Sequence, residues 1–335
     1  MDQLQISFGI VVVLVITALA FDFMNGFHDA ANSIATIVST RVLKPHQAVL
    51  WAAAFNFIAF FIFQLKVAST IGKGTIDPAV VDHYIIFGAL IGAIAWNIIT
   101  WYYGIPSSSS HALIGGLVGA ALAKVGPEAL IMSGIWKIVA FIFVAPFLGF
   151  VIGGLLMVIV SWLCRRTAPR RVDKTFRRFQ LLSAAAYSLG HGGNDAQKTV
   201  GIIWMLLIAA GITKTGEAVP NWVVFSCYAA MGFGTMFGGW RIVKTMGNRI
   251  TKLNQARGFC ANSGGAITLF LATSLGIPVS TTHTITGAIA GVGSTRGAKR
   301  VRWGVAGGIV WAWLLTIPCS AAIAAMGWYV GTLVL

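Results

Sequence analysis

Gly104-Ile105-Pro106-Ser107-Ser108-Ser109-Ser110-His111 returns 172 residues later as Gly276-Ile277-Pro278-Val279-Ser280-Thr281-Thr282-His283. Working outward, Gly115 and Gly119 recur at the same offset as Gly287 and Gly291, and Pro146 recurs as Pro318. A second pair, Gly26-Phe27-His28-Asp29-Ala30 and Gly192-Gly193-Asn194-Asp195-Ala196, is offset by 166, which needs only a small insertion between the markers. Unusual residues shared in a shared order mark an internal duplication, and a duplication governs the whole fold.

The duplicated unit is built for a bilayer. The 335 residues are 57% hydrophobic and 10% charged, against roughly 25% charged residues in a soluble domain. Stretches free of Asp, Glu, Lys and Arg run 3–21, 45–65, 84–123, 138–164, 199–213, 218–240, 258–295 and 303–335. Each is near or above the ~20 residues that span a membrane. An all-α polytopic membrane protein follows. The first five residues lack the basic region of a cleavable signal, so the first apolar run is expected to be retained as a crossing. Cys164, Cys227, Cys260 and Cys319 have no paired spacing and read as small hydrophobes.

The net charge of +15 arises from 24 basic and 9 acidic residues. Its distribution argues against nucleic acid, because the cations gather between apolar stretches: Arg165, Arg166, Arg170, Arg171, Lys174, Arg177 and Arg178; Arg241, Lys244, Arg249, Lys252 and Arg257; Arg296, Lys299, Arg300 and Arg302. Placing these clusters in the cytoplasm gives five crossings per half and ten in all, with both termini outside. The halves are a first repeat, 1–164, a basic cytoplasmic linker, 165–178, and a second repeat, 179–335. An odd number of crossings inverts the second copy, so Asp29 lies on an inward-running segment and Asp195 on an outward-running one. Inverted repeats with a site near the midplane are a recurrent plan of secondary transporters. The segments 104–125 and 276–294 are either full crossings or re-entrant hairpins.

Segments 6–40 and 179–213 are too long for one straight crossing and carry Gly and Asp near their middles, so both are expected to be broken helices. A carboxylate at this depth costs at least ~2.5 kcal/mol and needs a partner or a purpose. Asp29 and Asp195 are therefore the candidate cation-coupling residues, with His28 and His191 beside them as candidate proton relays. Around them Asn25, Asn32, Asn194, Gln197 and Lys198 form a dense set of hydrogen-bonding groups. Asp22 either shares this site or lies nearer the outer surface. Lys198 either pairs with Asp195 or attracts an anion.

The Pro-Ser/Val-Ser-Ser/Thr-Ser/Thr-His segments read as helix starts, whose free N–H groups and positive dipole end make an anion site. Ser108, Ser109, Ser110, Ser280, Thr281 and Thr282 add donors without adding charge, which suits a transporter that must also release its substrate. His111 and His283 either orient the hydroxyls or fill a polar gap. The glycine pairs at four-residue spacing point to close helix packing. No metal-ligand cluster or nucleophile elbow is visible, so no enzyme, cofactor or resident metal is expected.

With these motifs in hand, the chain resembles the inorganic phosphate transporter (PiT) family, and within it the low-affinity bacterial Pit branch. The family's doubled signature, Gly-x-Asn-Asp followed by Ala and Asn, is similar to Gly26-Phe27-His28-Asp29-Ala30-Ala31-Asn32 and to Gly192-Gly193-Asn194-Asp195-Ala196-Gln197-Lys198. The resemblance implies that Asp29, Asn32, Asn194 and Asp195, with the hydroxyls of 108–110 and 280–282, line a phosphate and cation site in a homodimer of the bacterial plasma membrane. His28 stands where the wider family has Asn, as in members similar to proton-coupled metal-phosphate carriers, which favours proton over sodium coupling. Low-affinity phosphate uptake by cation symport is the expectation. A symporter for sulfate or another oxyanion, and an anion channel, are the alternatives.

Overall fold

The computed structural model describes residues 6–214 and 216–335, and these form α-helices joined by short turns, with no strand among the described residues. The first half contains α1 (Phe8–Ser39), α2 (Pro45–Ile58), α3 (Lys66–Gly74), α4 (His83–Tyr103), α5 (Ser109–Lys124) and α6 (Met132–Leu163). The second contains α7 (Pro169–Ala209), α8 (Asn221–Phe237), α9 (Trp240–Asn248), α10 (Gln255–Ser274), α11 (Thr281–Ser294) and α12 (Trp303–Val334). The order of long and short helices repeats, and even the one-turn 3-10 helix Pro127–Ala129 has its counterpart in Ala298–Arg300. Residues 169–178, expected as linker, are the opening turns of α7, with Pro169 at a position where a missing N–H costs nothing.

Packing between the halves is reciprocal. α12 lies against α4 and α5, and α6 lies against α10 and α11; α1 packs on α8 and α9, and α7 on α2 and α3. Each half therefore completes the other. The glycine pairs make this closeness possible. A Cβ on Gly115 or Gly119 would lie 2.7 Å from the Ile317 carbonyl oxygen or 2.1 Å from that of Ala321, both on α12. A Cβ on Gly287 or Gly291 would lie 2.0 or 2.1 Å from the carbonyl oxygens of Pro146 and Phe150 on α6. The outer faces of α6 and α12 remain apolar and open: Phe143, Phe147, Val151 and Leu155 on one, Trp311, Leu314, Leu315 and Tyr329 on the other, are exposed. Such faces belong against lipid.

Two expectations are corrected. First, α1 and α7 are continuous helices of 32 and 41 residues, and their central glycines do not break them. Gly26 and Gly192 instead remove a Cβ that would lie 2.1 Å from the Met231 oxygen and 2.3 Å from the Asn56 oxygen. The breaks fall elsewhere: α2 with its 3-10 extension and α3 are bent by 78°, and Gly238-Gly239 interrupts α8 and α9. Second, not every expected crossing is a full-length helix. Among the described residues four helices, α1, α4, α6 and α12, are by length and composition apolar enough to cross, or five spans when the bent pair is counted as one. α5 and α11, with 16 and 14 residues, reach only ~24 and ~21 Å, short of a ~30 Å hydrocarbon core. Both begin inside the protein.

The turns that admit these buried starts are held from the opposite half. Gly104 and Gly276 sit at φ 66° and 69°, a region that suits glycine. Thr245 of α9 donates to the Gly104 carbonyl at 3.2 Å, and Thr70 of α3 to the Gly276 carbonyl at 2.6 Å. Two apolar clusters flank the centre, one including Phe21, Leu90, Leu117 and Met231, the other Ile34, Met157, Leu269 and Ile289.

Gly119→Leu and Gly287→Leu should each destabilise the fold by about 1–3 kcal/mol or more through overpacking, lowering the yield of monodisperse detergent-solubilised protein. Gly304→Ala, where no atom lies within 4 Å of the added Cβ, should leave that yield unchanged.

Candidate functional site

The middles of α1 and α7 meet the starts of α5 and α11 in a polar core closed to solvent. Asp22, Asn25, His28, Asp29, Asn32, Ser109, Ser110, His191, Asp195, Lys198, Thr281 and Thr282 are all 2% exposed or less. Local sequence explains the convergence. Ser108 and Ser280 are the N-caps of α5 and α11, their hydroxyls each accepting from the N–H three residues on, His111 and His283, at 3.2 Å. The four first N–H groups of a helix lack intrahelical partners, and a cap satisfies only part of that set. Both positive helix ends are thereby presented to the carboxylates of α1 and α7.

Asp195 is the most heavily bonded carboxylate of the site. Its Oδ2 accepts from Thr281 Oγ1 at 2.9 Å, and its Oδ1 accepts from Ser110 Oγ at 3.3 Å and from Lys198 Nζ at 2.5 Å. His191 Nε2 stands 3.3 Å from Oδ2. Donors from α5, α7 and α11 thus meet on one carboxylate. Asp29 differs: its Oδ1 lies 2.6 Å from His28 Nδ1, and its Oδ2 has no partner within the protein. His28 Nε2 reaches Thr100 Oγ1 at 3.0 Å, which fixes the ring. One ligand atom each from Asp29, His191 and Asp195 lie within 4.8 Å of one another. That is a grouping of the size and donor type that holds a small cation, although the sequence shows no metal-ligand spacing.

Asn32 spans the halves, its amide donating to Thr281 Oγ1 at 3.2 Å and Thr282 Oγ1 at 2.9 Å. Its Oδ1, with Asn25 Oδ1, Ser109 Oγ and both oxygens of Asp22, makes no hydrogen bond within the protein. Leaving such buried atoms unpartnered costs about 1–3 kcal/mol each. Asp22 is buried beside Asn25 and Thr199 and not at the outer surface.

Other candidates hold the scaffold. Asn194 donates to Thr273 Oγ1 and the Ile277 carbonyl and accepts from Val279 N–H, pinning the turn before α11. Gln197 accepts from Val67 and Ala68 N–H and donates to the Gln64 and Gly193 carbonyls, so it caps α3 across the bend. His111 and His283 pack edge to face at 4.7 Å, and His283 stacks on Trp313 at 3.8 Å, filling the gap between the two short helices. Several residues escape the sequence reading. Thr100 supports His28; Ser33 and Asn56 approach His191 Nδ1 at 3.3 and 3.2 Å; Tyr187 donates to the Thr281 carbonyl at 2.9 Å. Asn56 left a trace, an amide near the middle of the apolar run 45–65; Thr100 and Tyr187 left none.

Fold and site together define a multi-pass helical membrane protein that encloses an oxyanion-compatible polar core with paired carboxylates. Residues 25–324 match the model of the phosphate transporter family, and the chain belongs to that family. It is 60% identical to a probable low-affinity inorganic phosphate transporter of Rhizobium meliloti (strain 1021), over 98% of each chain. It is 46% identical to one of the same description from Bacillus subtilis (strain 168), covering 95% of this chain and 96% of that one. Among solved structures it superposes on one titled the sodium-dependent phosphate transporter with a TM-score of 0.89 at 28% identity, covering 98% of this chain and all of the other.

Gln197→Leu should lower the unfolding temperature, since it leaves the Val67 and Ala68 N–H groups without an acceptor at about 1–3 kcal/mol. The KM of the protein that folds should not change, and a raised phosphate KM would make Gln197 a ligand instead.

Proposed function

We propose that the protein takes up inorganic phosphate at low affinity by cation symport across a bacterial plasma membrane, as a homodimer with both termini of each chain outside. It is a transporter and not an enzyme, in keeping with its family. The two repeats run in opposite directions through the bilayer, related by a two-fold axis in the membrane plane, a plan that permits alternating access. Support comes from the reciprocal packing of the halves and from the gathering of the cations between apolar stretches, which the positive-inside rule assigns to the cytoplasm.

Two buried helix starts facing one pair of carboxylates carry the assignment. Phosphate sits between the N-termini of α5 and α11, on their free N–H groups and on Ser109, Ser110, Thr281 and Thr282, with Asn25 and Asn32 at its edge. A protonated phosphate oxygen donates to a carboxylate or to an unpartnered amide oxygen such as Asn32 Oδ1. Sulfate has no such proton at neutral pH. Hydroxyls and dipole ends hold the anion without a fixed countercharge, which keeps release feasible and affinity low.

The carboxylates supply the coupling. At a separation of about 5 Å and an effective dielectric constant of about 20, an uncompensated carboxylate repels a phosphate charge by ~3 kcal/mol. A cation on Asp29 removes that repulsion, so each ligand raises the affinity for the other. We assign the proton as the coupling ion in preference to sodium, because the His28 ring bridges Asp29 and Thr100 and an Asp–His pair is suited to hold one. Divalent metal travelling with phosphate is accommodated by the oxygen-rich group at Asp29, His191 and Asp195.

Radiolabelled phosphate uptake into proteoliposomes, driven separately by a pH gradient and by a sodium gradient, tests this. Uptake should follow the pH gradient, be lost in Asp29→Asn, and resist competition by sulfate. Full uptake by Asp29→Asn, or strong sulfate inhibition, would sink the assignment. Ser109→Ala should raise the KM about three- to tenfold, the worth of one neutral hydrogen bond. Ser107→Ala should not, since Thr316 and Trp96 already engage that hydroxyl.

A further inference from the structure

The two repeats are not chemically equal at the site. Asn32 stands three residues after Asp29, and the corresponding position three residues after Asp195 is Lys198. A side chain that carries only hydrogen bonds in one half is thus replaced by a full positive charge in the other. Lys198 is 1% exposed, and so long a cation is seldom buried without a defined role.

The ammonium is fully engaged. Its three protons go to Asp195 Oδ1 at 2.5 Å, to the Val279 carbonyl at 2.8 Å and to the Ser110 hydroxyl. A carboxylate, a main-chain carbonyl from the turn before α11 and a hydroxyl from the start of α5 are the oxygen donors a small hard cation takes. They come from three different elements, as the ligands of a mobile ion at this junction would. In the first half no such charge is present. Asp29 Oδ2 has no partner within the protein, and Asn32 turns its amide to Thr281 and Thr282.

We propose that the Lys198 ammonium is a tethered cation occupying the place at Asp195 where a free alkali cation would otherwise bind, so that only the Asp29 half takes a mobile coupling ion. The proposal rests on the phosphate-symport reading and deepens it, fixing which half of the site is exchangeable. A second monovalent cation at Asp195 would share the same oxygens as the ammonium and be repelled by it. The tethered charge also gives Asp195 permanent compensation, so this half needs no ion from solution before the anion binds. The carboxylate oxygens left for an exchangeable cation, Oδ2 of Asp29 and both oxygens of Asp22, all lie in the first half.

The test is the sodium dependence of purified and reconstituted protein. Lys198→Asn restores to the second half the residue present in the first. Its phosphate uptake should become stimulated by external sodium over choline at least about fivefold more than that of the wild type, the low end of a linkage between two ligands. Its unfolding temperature should rise in sodium more than the wild type's does. Lys198→Gln, which keeps the amide on a longer stem, repeats the measurement if the Asn variant does not purify as a single species. Asp29→Asn with Lys198 intact approaches from the other side and should show neither the pH-gradient-driven uptake of the wild type nor any sodium-dependent stabilisation. Lys198 variants with wild-type sodium dependence, or residual sodium stabilisation in Asp29→Asn, would overturn the proposal. Wild-type vesicles that take up no phosphate under any gradient would instead remove the phosphate reading beneath it.

Discussion

Asp195 is a carboxylate with no access to water, and the rest of the site is arranged around satisfying it. Lys198 reaches it from its own helix, Ser110 from the start of α5 and Thr281 from the start of α11. Those donors can meet only if two helices begin in the interior. That in turn requires the left-handed turns at Gly104 and Gly276, the short helices α3 and α9 that hold them, and the glycine faces that let α12 and α6 lie against α5 and α11. A buried charge thus dictates both where helices start and how closely the halves interlock.

The same arrangement separates holding from binding. Asn194, Gln197, Tyr187 and the two N-cap serines are engaged by backbone groups and fix the geometry. Asn25, Asn32, Ser109 and Asp29 each keep an atom without a protein partner. Preorganisation of this kind leaves helix N–H groups aimed at one point with little reordering needed as an anion arrives. It also leaves the polar atoms facing inward within an apolar shell.

Much of this was legible in the sequence because duplication writes each constraint twice. The Gly-Ile-Pro-hydroxyl-His segments announced two helix starts, the paired aspartates announced the centre, and the four-residue glycine spacing announced the close packing later found at Gly119 and Gly287. Family resemblance then agreed with a match over residues 25–324. What misled was glycine itself. A glycine that admits a neighbouring backbone and one that breaks a helix look identical in sequence, so Gly26 and Gly192 suggested broken helices where α1 and α7 run through. Helix length was hidden for a related reason, since hydropathy counts apolar residues and does not see that α5 and α11 begin partway through the protein. Thr100 and Tyr187 were invisible because their roles depend on contacts 72 and 94 residues distant.

The position of the anion is the claim on which the rest stands. Arsenate, a tetrahedral oxyanion with a strong anomalous signal, can be located directly in crystals of the purified protein. One anomalous peak between the N-termini of α5 and α11, within hydrogen-bonding reach of Ser109 and Thr282, is the result expected. A peak confined to the basic loops around Arg257 and Arg300, with none at the helix starts, would contradict it.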